Sequence, residues 1–194
     1  GVMNTKSRVA GVFIGLAVGD ALGVPIEKKD VGSFEFVSEM QGGGVYDLPP
    51  GAWTDETATA LCLAESLLVT YALDVYDLAE RFRRWVENGE NSSTGVCVGI
   101  EQKLLNFVGN YQRTGGFDTN SLNQKVRGNS VLARAGPVAC IHWDNLDMAS
   151  KILSTNDTFK QIVSTKLKNC SNNPTSLFDL FTGNISFESN KKCA

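Results

Sequence analysis

Gly11, Gly15, Gly19 and Gly23 recur at every fourth position of the apolar stretch from Val9 to Ile26. On an α-helix, residues four apart share a face, so these glycines form a stripe nearly free of side chains, bordered by Val12, Ile14, Leu16 and Val18. Each glycine inside a helix costs about 1 kcal/mol relative to alanine. Four in register predict a compensating close approach, by another helix or by a ligand. Pro25 ends the helix and leaves Glu27 on the loop that follows. Helical spacing recurs downstream, whereas the alternation of apolar and polar residues that marks strands is nearly absent, so the expected fold is all-α.

A second helix is expected from about 54 to 72, along Ala58, Leu61, Glu65 and Leu68. Asp77 opens a third, with Leu78, Phe82 and Trp85 on one face and Gly89 at its end. Glu90 to Gly95 reads as a turn, and Val96 to Val108 resumes helical spacing through Ile100, Leu104, Leu105 and Phe107. Val131 to His142 is short and apolar, and Pro137 predicts a helix interrupted or restarted there. Residues 28 to 52, with Gly42 to Gly44 and Pro49-Pro50, form a long polar connection of the kind that covers a site. Weaker helical patterns occupy 146 to 154, 157 to 168 and 175 to 182, and the tail from about 155 to 194 is richer in Asn, Ser and Lys.

A chain of 194 residues is expected to form one domain, with about 70% of its unfolded surface buried. Its 18 basic residues are scattered, its net charge is −3, and no basic and aromatic interleaving occurs, so no nucleic-acid partner is expected. Lys6 and Arg8 before the first apolar stretch resemble the start of a signal or membrane segment, but Asp20 and the glycines argue against both. No membrane partner is expected. Cys62, Cys97, Cys140, Cys170 and Cys193 are odd in number and far apart, as reduced thiols of a cytoplasmic protein would be, and they do not suit zinc. The sequence sets no oligomeric state.

Chemistry concentrates at G-A-W-T-D-E-T, residues 51 to 57, where Thr54, Asp55 and Glu56 open the second helix. Thr54 is a competent N-cap, and acidic residues in a first turn complement the helix macrodipole. Three hard-oxygen donors clustered behind Trp53 and a Pro-Pro-Gly turn also suit a hard cation such as magnesium. Both readings stand on these residues.

Three segments in order, G-L-A-V-G-D-A-L-G-V-P-I-E (15 to 27), G-A-W-T-D-E-T-A-T-A-L-C-L-A-E-S-L (51 to 67) and G-N-S-V-L-A-R-A-G-P-V-A (128 to 139), resemble the ADP-ribosylglycohydrolase family, of the dinitrogenase-reductase-activating type. The resemblance spans residues 8 to about 150 of a single domain covering 1 to 194. It implies an orthogonal bundle of α-helices. It also implies magnesium-assisted hydrolysis of the bond between ADP-ribose and an arginine, serine or other acceptor of an ADP-ribosylated protein. Carried over residue by residue, Thr54, Asp55 and Glu56 would bind metal, with Glu56 where relatives usually have Asp. Glu27 would cover the metal centre and act on water or the leaving group, joining Asp55 and Glu56 as catalytic. Gly128, Asn129 and Ser130 would lie beside the ADP-ribose phosphates and ribose, and Ser93, Thr94 and Gly95 would line the cleft. Asp20 is expected to be structural, holding amides of its own G-D-A-L-G turn, and Arg134 to be a buried ion-pair partner.

One departure stands out. Relatives close the metal site with Asp-x-Asp followed by Ser or Thr on a late glycine-rich turn, and Asp144, Asp147, Asp157 and Asp179 are all isolated here. Two magnesium ions bring four positive charges against the two negative ones of Asp55 and Glu56, so one ion is expected more readily than two. The expected activity is therefore a weakened hydrolase, and the alternatives are a non-catalytic ADP-ribose-binding module or a structural helical protein. His142, the chain's one histidine, is expected in the core or on the surface rather than in catalysis.

Overall fold

A computed structural model describes residues 4–117 and 133–142, together with 144, 145, 147 and 148. Its helices are α1 (Thr5–Gly23), α2 (Asp55–Thr70), α3 (Val75–Asn88), α4 (Gln102–Thr114) and α5 (Ala135–Ile141). Short 3-10 turns occur at Val24–Ile26 and Gly44–Tyr46. Among the described residues the sole strand-like feature is an isolated antiparallel bridge, Gly43 with Leu48. The fold is all-α, as the spacing predicts.

The central element is α2, which packs against α1, α3 and α5. Its buried residues include Thr57, Ala58, Thr59, Ala60, Cys62, Leu63, Ser66 and Leu67, whereas Leu68 is 59% exposed and Glu65 faces solvent. The line through Ala58, Leu61, Glu65 and Leu68 therefore marks the helix but not its inner face. Small side chains at Ala58, Ala60, Cys62 and Ser66 let three neighbouring helices reach α2 at once. On the α3 and α4 side, Phe82, Trp85 and Val108 close over Ala58 and Cys62, with Ile100, Leu104 and Phe107 around them. A second cluster, Val24, Leu48 and Ala52, anchors the long connection between α1 and α2.

Two helix starts differ from the sequence expectation. α3 begins at Val75 because Asp74 caps it, accepting from the amides of Tyr76 and Asp77 at 3.0 Å each. Asp77 instead holds Arg81 one turn on, at 2.8 Å. α4 begins at Gln102 rather than near Val96, so residues 92 to 101 form an irregular strap. Cys97, Val98 and Ile100 of that strap pack against the core without needing helical backbone, whereas Val96 is exposed. α5 accommodates Pro137 in its first turn, where the missing N–H has no intrahelical partner to lose.

The glycines of α1 do not do what their spacing suggests. A Cβ added at Gly11, Gly15, Gly19 or Gly23 would meet nothing within 4 Å among the described residues. The close approach to α1 comes from a glycine on the other helix: a Cβ at Gly136 of α5 would lie 2.7 Å from Val12 Cγ1. By length and composition Thr5–Ile26 would also suit a membrane span. Here its inner side packs on α2 and α5.

Candidate functional site

The first turn of α2 is held from α1 by one carboxylate. Asp20 Oδ1 accepts the hydroxyl of Thr54 at 2.6 Å, and Oδ2 accepts the amides of Thr54 and Thr57 at 3.0 Å and the Thr57 hydroxyl at 2.7 Å. Thr54 occupies the N-cap position in extended backbone, but its own side chain accepts no capping bond. The cap comes from α1 instead, 37 residues from Thr57. This corrects two expectations: Thr54 is not the capping side chain, and the amides Asp20 holds are those of α2 rather than of its own turn. Sequence reasoning had no local signal for the pairing, because the donors lie in a different motif.

Asp55 and Glu56 follow immediately, half-buried. Burial, then the charges of Glu56 and Asp20, push the Asp55 carboxyl up to about 7. Glu56 is also raised, by burial first, against the opposing influence of the Arg134 guanidinium, with Asp20, Glu101 and Glu27 adding to the rise. Arg134 lies 3.9 Å from Glu101 and donates to the Thr59 hydroxyl at 3.3 Å. Its environment, with an acidic partner and little solvent, agrees with the buried ion-pair role expected from sequence. Glu27 caps the 3-10 turn after α1, exposed, and its charge reaches Glu56. Glu101 is a fifth acidic side chain in this field, and no motif in the sequence singles it out.

The strap 92 to 101 forms the opposite wall. Gly99, at φ +77°, lies so close that an added Cβ would sit 2.7 Å from Asp55 Oδ1 and 3.4 Å from Thr54 Cβ. Gly99→Ala is therefore expected to displace the Asp55 carboxylate and to lower stability by about 1–2 kcal/mol through its left-handed backbone. Melting curves and the environment of nearby Trp53 would read both effects. Cys97, on the same strap, has its thiol pushed up to about 11 by burial and the Asp55 charge, and stays protonated and unreactive at neutral pH.

Ser93 is placed at the site but already engaged: its hydroxyl accepts from Trp53 N at 3.0 Å and donates to Trp53 O at 2.9 Å. The Trp53 indole donates to Asn91 O at 3.0 Å. Ser93 and Asn91 thus fix the residue preceding Thr54, while Thr94 and Gly95 are exposed beside them. Gly128, Asn129 and Ser130 lie outside the described residues.

The site thus groups Thr54, Asp55, Glu56 and Glu27 with Asp20, Glu101 and Arg134, in surroundings of mainly negative charge. Oxygen donors crowded by their own repulsion suit a hard cation, which would relieve that repulsion. Among the described residues no group of three or more His, Cys, Asp or Glu side chains is close enough to enclose an ion. The Thr54 to Glu56 turn therefore supplies at most part of a coordination shell.

Comparison with known proteins agrees. Residues 2–157 match the family model described as ADP-ribosylglycohydrolase. An ADP-ribosylarginine hydrolase, Tri1, of Serratia proteamaculans is 36% identical over 143 residues, 74% of this chain and 39% of that protein. The ADP-ribosyl-dinitrogen reductase glycohydrolase of Rhodospirillum rubrum is 41% identical over 98 residues, 48% of this chain and 33% of that one. A solved structure described as an ADP-ribosylglycohydrolase-related protein complex superposes with a TM-score of 0.59 at 37% identity, covering 78% of this chain and 49% of the other. The chain thus spans about two fifths of the length of the first of these curated relatives.

Proposed function

Because this chain belongs to the ADP-ribosylglycohydrolase family, we propose that it hydrolyses the glycosidic bond between ADP-ribose and a protein side chain, with magnesium assistance. The observation that carries the reading is the turn Thr54 to Glu56, held rigid by Asp20 with its two carboxylates forced together and half-buried. Two relatives act, by name, on ADP-ribosylarginine and on ADP-ribosyl-dinitrogen reductase, so an arginine linkage is the first acceptor to try.

Thr54, Asp55 and Glu56 are the residues that would hold the cation. When bound it would supply Lewis-acid polarisation and lower the pKa of water. The chain's own groups do the rest. Glu27 is exposed and its charge reaches Glu56, which suits it to take a proton from the attacking water or return one to the leaving nitrogen. The strap from Ser93 to Gly99 shapes the wall opposite Asp55, and Gly128 to Ser130 would approach the phosphates. Glu56 carries one methylene more than the Asp that the family resemblance implies at its position, which would shift its carboxylate on the cation-binding turn. Catalysis is accordingly proposed as slow, in a cytoplasmic setting.

The test is release of ADP-ribose from an arginine-ADP-ribosylated protein, with magnesium and with a chelator. Slow release that the chelator abolishes is expected. A rise in melting temperature with ADP-ribose but no release would convert the reading to a non-catalytic binder, and neither release nor a rise would sink both.

A further inference from the structure

Asp20 stands outside every motif role considered so far except capping, yet it accepts four hydrogen bonds from two threonines. We infer that Asp20 is a positioning residue that turns the Thr54 hydroxyl into a pure acceptor facing the cleft; this rests on the cation-binding reading above.

The argument is one of valence. A hydroxyl has one proton and two lone pairs, and an ionised carboxylate only accepts. The Thr54 hydroxyl has two carboxylates within reach, Asp20 and Asp55, and the short 2.6 Å approach of Oγ1 to Asp20 Oδ1 directs its proton to α1 in a charge-assisted bond. Both lone pairs then point away from Asp20. Thr54 is 7% exposed, so water does not compete freely for that proton. The Thr54 and Thr57 amides, held on Oδ2, fix the backbone that carries the hydroxyl relative to Asp20. Hydrogen bonds that orient a ligand from behind are worth as much to affinity as many direct contacts.

The experiment uses manganese alone as the probe, its binding followed by electron paramagnetic resonance at a temperature where each variant is folded by circular dichroism. Asp20→Asn is expected to weaken binding about 10–100-fold. Thr54→Val should weaken it at least as far, and adding Asp20→Asn to Thr54→Val should cost nothing more. Thr57→Val, which leaves the Asp20 to Thr54 bond intact, should stay within about threefold of wild type. Additive losses in the double variant, or an equal loss in Thr57→Val, would mean that Asp20 acts only as a helix cap and would overturn the inference. Absence of manganese binding by the unmutated protein would overturn the cation reading itself, a distinct result. Should Asp20→Asn not fold, the unmutated protein still decides: a slowly exchanging Thr54 hydroxyl proton in its NMR spectrum is expected, and one in fast exchange with water overturns the assignment.

Discussion

Asp55→Asn is expected to reduce release of ADP-ribose by about 100-fold or more, while making the metal-free protein more stable at neutral pH. Loss of activity follows from removing one of only two negative charges on the proposed cation-binding turn. The gain in stability follows from linkage. With its folded value near 7 against 3.8 in the unfolded chain, Asp55 keeps a proton in the folded state that unfolding releases. Its contribution is therefore fully present below about pH 4 and is lost as pH rises through 7. Partial exposure discounts the size of this effect to roughly 2 kcal/mol. Urea denaturation with a chelator between pH 4 and 8 would read it. Asp77 and Glu80 also shift on folding but are common to both proteins, so the difference between the two profiles reports Asp55 together with its coupling to Glu56. Parallel profiles would show that Asp55 ionises as freely in the folded chain as in the unfolded one.

The largest loss of stability is expected at Trp85, fully buried between α2 and α4. Trp85→Ala would leave a cavity beneath Ala58 and Cys62 and cost about 3–5 kcal/mol, a large share of a typical domain's stability. Trp85→Phe should cost only about 1–2 kcal/mol. It keeps most of the ring volume, and the indole N–H that it removes has no hydrogen-bond partner among the described residues. Thermal and chemical melts of the two variants give the comparison directly. A Phe variant as unstable as the Ala variant would show that the N–H is satisfied in solution.

Much of this arrangement is legible in the chain. Apolar spacing identifies each helix, Pro25 and Gly89 stop two of them where expected, and Thr54, Asp55 and Glu56 advertise the site through their clustering. The strap from 92 to 101 was not legible, because Val96, Ile100 and Leu104 are apolar at four-residue intervals although the backbone before Gln102 is irregular. Periodicity does not report the backbone itself, and a loop pressed onto a core can satisfy the same pattern as a helix. Glu101 was missed for a related reason: an acid at a helix start reads as surface charge until Arg134, Glu56 and Glu27 are seen around it.

The two glycine and aspartate features of α1 separate what sequence decides from what packing decides. A four-residue repeat fixes Gly11 to Gly23 on one face, and an acidic residue inside an apolar helix demands polar partners; both follow from local geometry and the cost of burying charge. Which partners answer is settled only when α1 and α2 meet. Tertiary contact brings Thr54 and Thr57 to Asp20 across more than thirty residues, and it places the glycine of closest approach on α5 rather than α1. Hydrogen-bond partners and interhelical clearances depend on the relative placement of whole helices, which no local pattern encodes.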